Sequence, residues 1–244
     1  MSKAKNPFLK CEKVTKRFGG ITALSELEFE IKKKETLGII GPNGAGKTTL
    51  FNVLSGVHKP DSGTIKLKGE EITGKEPYQI ARKGIGRTFQ SLRLFSNLNV
   101  LENVMSGTIF TDPIRKETDQ AEELLRKLGI EKVELIGQKM PQDLPTDKKR
   151  VIELARVLVR KPKILLLDEF MAGLNPKETD KALQMLKKIK KKENLTMALI
   201  EHNIRAIMNI AERVFVLHSG RKLEEGPPKE IKNSEKVKEV YLGE

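Results

Sequence analysis

Eight consecutive residues carry the clearest chemistry in this chain: Gly41-Pro42-Asn43-Gly44-Ala45-Gly46-Lys47-Thr48, followed directly by Thr49. The spacing G-x-x-x-x-G-K-[ST] suits a loop that wraps an oligophosphate. Glycines let the backbone turn so that successive N–H groups point at one anion. A helix that starts where the loop ends adds its dipole to the attraction. Lys47 offers a cation to the β- and γ-phosphates, and the Thr48 hydroxyl is placed for a Mg²⁺ ion. Far along the chain, Asp168-Glu169 ends the apolar run Ile164-Leu165-Leu166-Leu167. A carboxylate at the C-terminal end of a buried parallel strand faces the crevice where α/β proteins bind ligands. Asp168 can hold Mg²⁺ there, directly or through water. Glu169 projects differently and can act on an attacking water as a general base.

Such residues need strands that all end on one side. The pattern predicts short strands at 8–14, 27–31 and 36–40, with turn signals at Gly19-Gly20 and 32–34. The strand 36–40 runs straight into the glycine-rich loop. Apolar residues at Leu50, Phe51, Val53, Leu54 and Val57 predict a helix behind it. Residues 64–67 alternate like an exposed strand, and 84–89 reads as another short strand. Helices are predicted over 120–128, closed by Gly129, and over 151–159, stopped by Pro162. Further helices fall at 177–192 and 204–211, with buried strands at 164–167 and 196–200. Residues 213–217 read as the last strand. Alternation of this kind predicts a doubly wound, mostly parallel sheet.

Composition narrows the class. Aromatic residues are 5% and Trp is absent, which argues against a stacking surface for single-stranded nucleic acid. The 46 basic and 33 acidic residues give a net charge of +13. The excess is spread out: residues 1–35 and 177–193 each hold four more cations than anions. That reads as a solvated surface, with a membrane-proximal face as the second reading. The run Lys187-Lys188-Ile189-Lys190-Lys191-Lys192 reads as the wet end of a helix. The single cysteine, Cys11, permits no internal disulfide and fits a reducing cytosol. Lys3 and Lys5 precede no apolar stretch, so no signal peptide is expected. No apolar run reaches the roughly 18–20 residues that span a bilayer, so any membrane role is expected to come through a partner.

The loop 41–48, Thr88-Phe89-Gln90, Leu165–Glu169, Ala172-Gly173-Leu174-Asn175-Pro176 and Glu201-His202 together resemble the nucleotide-binding subunit of ABC transporters, in order and spacing across nearly the whole chain. Within that family, Arg87-Thr88-Phe89-Gln90 with residues 92–95, residues 172–179 and the ending Val240-Tyr241-Leu242-Gly243-Glu244 look most like the ATP-binding subunits of branched-chain amino acid importers. The resemblance implies an α/β P-loop NTPase fold with a mostly parallel core sheet. It also implies an antiparallel β-subdomain (roughly 6–35 and 61–86), a helical subdomain inserted at about 91–149 and a C-terminal segment at 223–244. All of these form one nucleotide-binding domain over 1–244, with phosphate-loop core segments at roughly 36–60 and 150–222.

The resemblance also assigns roles. ATP and Mg²⁺ would be held by residues 41–49, with Thr48, Gln90 and Asp168 at the metal. Phe18 falls where the family stacks an aromatic on adenine. Gln90 matches the glutamine that contacts Mg²⁺ and water and senses the membrane partner. His202 matches the histidine at the γ-phosphate that helps position the water beside Glu169. Asn175 stands where many members have Asp in the loop that crosses to the other subunit, and importer subunits often have Asn there.

One segment departs from the family pattern. The signature L-S-x-G-Q precedes a helix containing E-x-A-R. Glu153, Ala155 and Arg156 supply the helix, but the loop reads Leu144-Pro145-Thr146-Asp147-Lys148. Pro145 replaces serine, Asp147 glycine and Lys148 glutamine. In the family this loop reaches the γ-phosphate of the other subunit. Two like charges about 4 Å apart repel by about 4 kcal/mol at an effective dielectric near 20. Lys148 and Lys149 could offset part of that. Thr146 or Asp147 is also expected to cap a helix over 148–159.

The implied function is ATP hydrolysis that powers an importer, with branched-chain amino acids as the implied solute. The implied partners are membrane permease subunits, a second ATP-binding subunit (a heterodimer favoured over a homodimer) and, indirectly, a periplasmic or extracellular solute-binding protein. No nucleic-acid partner is expected, and the implied location is cytoplasmic, peripheral on the inner face of the membrane. A soluble ABC ATPase acting on DNA or ribosomes is the rival from another class, but the tandem domains, long coiled coils and zinc motifs of such proteins are missing from this sequence. The altered signature keeps open a regulatory subunit of low turnover.

Overall fold

The Gly19-Gly20 pair closes a hairpin. β1 (Leu9–Phe18) runs antiparallel to β2 (Ile21–Ile31), with Leu9 opposite Ile31 and Phe18 opposite Ile21. Their register shifts between Cys11 and Val14, where Lys13 has φ 50°. That bulge brings Leu9, Cys11 and Val14 to the same buried face. The chain then turns through residues 32–34 into β3 (Thr36–Ile40), buried at every position, and on through the glycine-rich loop to α1 (Lys47–Leu54). β4 (Ser62–Leu67) pairs with the free side of β1 and is followed by β5 (Glu70–Glu71). The four-stranded antiparallel sheet has the order β2-β1-β4-β5. The structure is a computed structural model that describes residues 7–108 and 117–242. Lys3, Lys5, the stretch 109–116 of the expected helical insert, and Gly243 and Glu244 lie outside the described residues.

α2 (Pro77–Lys83) leads into β6 (Ile85–Arg87). Helices α3 (Val100–Met105), α4 (Glu117–Lys127), α5 (Val133–Ile136) and α6 (Thr146–Leu158) follow. Asn99 and Glu102 form a capping box on α3, and Gly129 at φ 86° ends the turn after α4. β7 (Ile164–Asp168), α7 (Pro176–Glu193), β8 (Thr196–Ile200), α8 (Ile204–Ile210) and β9 (Arg213–His218) restore the strand–helix alternation. β10 (Arg221–Gly226) and two short helices, α9 (Pro228–Asn233) and α10 (Glu235–Leu242), end the described chain.

The second sheet has the order β10-β9-β3-β8-β7-β6, parallel except for β10. The two-residue period of its strands feeds two cores. Ile164 and Leu166 of β7 pack with α1 and the antiparallel sheet, while Leu165 and Leu167 pack with the helices from α3 to α7. Asp168 continues the Ile164–Leu166 series and so lies on the α1 side. Truncating one of these fully buried leucines to alanine costs roughly 2–5 kcal/mol. α7 buries Ala182, Leu183, Leu186 and Ile189 and leaves Lys187, Lys188, Lys191 and Lys192 exposed, so the lysine run is its wet face. Among the described residues, no helix is long and apolar enough to cross a membrane.

Three expectations need correction. Residues 72–86 are not part of the antiparallel sheet: α2 intervenes, and β6 pairs parallel with β7. The signals for α2 are local, namely Pro77 at its first turn, a Glu76–Gln79 capping box and Gly84 at φ 101°. The strand read over 84–89 is only Ile85–Arg87, with the Thr88 N–H making a last bond to the Leu166 oxygen of β7. Finally, β9 is not the last strand. Ser219 and Gly220, at φ 49° and 74°, return the chain as β10, whose arginine, lysine and two glutamates hide its edge-strand character.

Candidate functional site

Backbone space dictates the glycine-rich loop. Gly41 has φ 157°, and a Cβ there would stand 2.1 Å from the Leu217 carbonyl oxygen. Gly46 has φ 102°, and a Cβ would stand 2.5 Å from the Ala23 oxygen. Only glycine lets the loop lie this close to β9 and β2. Gly46 is also the N-cap of α1 and no side chain caps the helix, so its first N–H groups remain available to an anion. Lys47 is buried, and its Nζ donates to the Gly41 oxygen (2.6 Å) and the Pro42 oxygen (2.9 Å). Burial lowers its pKa, and the charges of Glu169 and Asp168 oppose that shift. Asn43, Gly44 and Thr48 are exposed, Pro42 and Thr49 half-buried, and Ala45 buried.

The C-terminal ends of β7 and β8 bring the remaining polar residues together. Glu169 has φ 49°, a left-handed conformation uncommon for its type. Its Oε2 accepts from Gln90 Nε2 at 2.8 Å, and its Oε1 pairs with His202 Nε2 at 2.8 Å. A carboxylate can only accept, so the Nε2–H tautomer of His202 fits this contact. Asp168 is 1% exposed. Its Oδ2 accepts from Arg87 Nη2 at 2.8 Å, while its Oδ1 is buried with no partner among the described residues. Burial raises its pKa, and the Arg87 hydrogen bond pulls the other way.

Several neighbours were given no role from sequence. Arg87 also reaches Asn52 on α1 and Ser55 at its C-cap. Arg150, in the second turn of α6, is buried and donates to the Phe89 oxygen (3.2 Å) and the Gln90 oxygen (2.9 Å), tying α6 to the glutamine loop. Glu201 Oε1 accepts from the Met171 N–H at 2.9 Å, and burial pushes its pKa up to about 7. Tyr241 of α10 lies near the Gly41 backbone at the start of the phosphate loop. The only sequence signal for Arg87, Glu201 and Tyr241 was their place inside the motifs quoted above, and Arg150 gave none.

The residues present suit a magnesium ion. Among the described residues no group of three or more His, Cys, Asp or Glu could enclose a metal. Mg²⁺ keeps most of its water and takes phosphate oxygens, so one carboxylate and one hydroxyl suffice. The orphaned Oδ1 of Asp168 and the exposed Thr48 meet that need.

The family model described as ABC transporter matches residues 24–172. The chain belongs to the ABC transporter family. A second model, branched-chain amino acid ATP-binding cassette transporter, matches residues 221–244. The chain is 37% identical to the high-affinity branched-chain amino acid transport ATP-binding protein BraF of Pseudomonas aeruginosa, over 98% of both chains. It is 38% identical to LivG of Escherichia coli, which carries the same description, also over 98% of both. Among solved structures, the ADP conformation of the ATP-binding cassette MJ1267 superposes with TM-score 0.88 at 29% identity, covering 98% of this chain and 99% of that one. The dimeric cassette MJ0796 superposes with TM-score 0.81 at 28% identity, covering 90% and 98%.

Four other segments of this ABC cassette stand apart from the Glu169 cluster. Phe18 is 43% exposed near the β1–β2 turn, with its ring edge-on to His58 at 5.1 Å. At the altered signature, the helix begins earlier than expected: Thr146 is already helical, Pro145 is the N-cap and no side chain caps α6. Neither Thr146 nor Asp147 is therefore the cap, because proline's fixed φ already sets the entry to the helix. Asn175 instead caps α7, in a capping box with Glu178. Beyond the glutamine loop, Leu92, Leu94 and Leu98 are half-buried and Phe95 is 50% exposed. Phe95 borders a groove of about 490 Å³ that also touches Val57, Ile85, Phe89, Arg156 and Pro162.

Proposed function

We propose that this chain is the ATP-binding and ATP-hydrolysing subunit of an importer for branched-chain amino acids. The observation that carries the chemistry is Glu169, whose carboxylate is held on one side by Gln90 and on the other by His202. That carboxylate is the general base for a water, and His202 and Gln90 orient it. Residues 41–49 cradle the phosphates of ATP, with Lys47 turning from its loop carbonyls towards the β- and γ-phosphates. Thr48, Asp168 and Gln90 would hold Mg²⁺, which when bound neutralises charge on the phosphate oxygens. Phe18 is the adenine-stacking residue of this reading.

The solute assignment rests on BraF and LivG, whose names state branched-chain amino acid transport. Permease subunits bind the groove beside Phe95 and hold the chain at the inner face of the membrane. A second ATP-binding subunit completes the site, and a solute-binding protein acts through the permease. The dimeric cassette MJ0796 supports a face-to-face pair. Lys47→Ala tests the nucleotide half of this reading: it should lower ATP affinity more than tenfold, measured by calorimetry. Unchanged affinity would make the loop structural. Co-purification with permeases from neighbouring genes, followed by leucine uptake into vesicles, tests the transport half.

A second reading, a subunit whose signature loop supports little turnover, is favoured by one observation. Pro145 and Asp147 occupy the entry and first turn of α6, where the family pattern has serine and glycine.

A further inference from the structure

We propose that Arg87 is the positioning residue that fixes Asp168 as a one-oxygen ligand towards nucleotide-bound magnesium. This rests on the reading of Asp168 as the metal carboxylate. β6 pairs parallel with β7, with Arg87 opposite Leu166, so the arginine side chain runs alongside the end of β7. Its Nη2 donates to Asp168 Oδ2 at 2.8 Å, and its Nη1 donates to Asn52 Oδ1 and Ser55 Oγ, each at 2.8 Å. Asn52 is in α1, and Ser55 is its C-cap. One guanidinium therefore ties the helix that begins at Lys47 and Thr48 to the strand that ends at Asp168.

The fork is held in place. Its side chain is 5% exposed and that of Asp168 2%. The Phe89 and Phe51 rings lie 4.8 and 5.7 Å from its Cζ. A planar, pre-organised guanidinium can serve three acceptors at once in a way that an ammonium cannot. With Oδ2 occupied, Asp168 has one free oxygen, Oδ1, which is buried and without a partner among the described residues. A buried carboxylate oxygen without a hydrogen-bond partner is uncommon and calls for a further partner such as a metal ion. The arrangement suits a carboxylate whose outer oxygen is anchored so that its inner one meets a metal, the division of labour seen when outer partners orient metal ligands.

The test compares ADP affinity, by calorimetry on the full-length protein, with Mg²⁺ and with EDTA. Arg87→Met should shrink the gain in affinity due to Mg²⁺ by about tenfold or more, with affinity in EDTA within about twofold of wild type. Asn52→Ala with Ser55→Ala keeps the charge but removes the brace, and should shrink the gain by a smaller factor. Asp168→Asn is the reference and should abolish it. If Asp168→Asn keeps the gain, the reading of Asp168 falls. If Asp168→Asn loses it while Arg87→Met keeps it, the positioning role alone is overturned. Should Arg87→Met fail to fold, the double variant decides: an unchanged gain there overturns the proposal.

Discussion

His202 Nε2 lies 2.8 Å from Glu169 Oε1, although the two residues belong to the ends of different strands. The contact exists because β7 and β8 are in register, with Asp168 opposite Ile200, so the residues that follow emerge side by side. Gln90 takes the other oxygen of the same carboxylate. Glu169 is thereby held in a single orientation from both sides, which is what a base must have to act on one water.

Replacing Glu169 with Gln should leave ATP binding intact and slow hydrolysis by about 10²–10⁴-fold, because the shape and the Gln90 contact survive but the base does not. His202→Ala should slow it as well while sparing affinity. Phosphate release from the assembled complex measures both. A Glu169→Gln complex that turns over at the wild-type rate would remove the general-base role.

Strands that are apolar on both faces were the most legible elements. Thr36–Ile40 and Thr196–Ile200 were read to the residue because every side chain in them is buried. α2 and β10 escaped for opposite reasons. α2 is seven residues long and buries only Ile80, so it has no periodic stripe to read. β10 is an edge strand whose Arg221, Lys222, Glu224 and Glu225 face solvent in part, a pattern shared with loops. In the site, the motif residues were legible because chemistry restricts their types and order. Arg87 and Arg150 were not, because an arginine's partners are set by tertiary packing: one meets a carboxylate 81 positions away and the other a carbonyl 60 positions away.

Glu201 makes stability depend on pH. Its carboxyl, about 4.5 when exposed, is pushed to about 7 by burial, with Glu169 and Asp168 adding to the shift and the Met171 N–H opposing it. Between those values the folded state holds a proton that the unfolded state releases, so this group destabilises the fold as pH rises from about 4.5 to 7, and its effect is constant above that. Glu201→Gln keeps an acceptor for Met171 and removes the charge. Its advantage over wild type should therefore grow from pH 5 to pH 8, by at most on the order of 2–3 kcal/mol. Melting temperatures at the two pH values measure this, and an advantage independent of pH would contradict it.

Phe95 is, with Val57, an exposed apolar residue of the groove beside the glutamine loop, and Arg156 lies 5.4 Å from the Phe95 ring centroid. Phe95→Asp should place a carboxylate against whatever apolar segment fills the groove and break assembly with the permease. ATP affinity should stay within about twofold, a change of less than ~0.5 kcal/mol, because Phe95 is outside the Glu169 cluster. Co-purification of tagged permease with the variant reads the outcome, and retained assembly would take the groove out of the interface.

In a pair of ATP-binding subunits, the altered signature loop is expected to limit how many sites turn over. Pro145 enters α6 without a side-chain cap, and Asp147 lies in its first turn, where the helix dipole favours an anion. That placement stabilises α6 but sets a negative charge where the family pattern brings the helix N-terminus to a phosphate. The phosphate loop, Asp168, Glu169 and His202 of this chain are all in place. A heterodimer would therefore complete this chain's ATP with an ordinary signature and leave the partner's ATP facing residues 144–148. Restoring Ser at 145, Gly at 147 and Gln at 148 should raise hydrolysis by the complex, to about twofold if the second site becomes equal to the first. Pro145→Ser should also keep α6 stable, since serine caps helices well. If the unaltered chain alone hydrolyses ATP cooperatively and the restored loop adds nothing, Lys148 and the first N–H groups of α6 already serve the phosphate, and both sites are active.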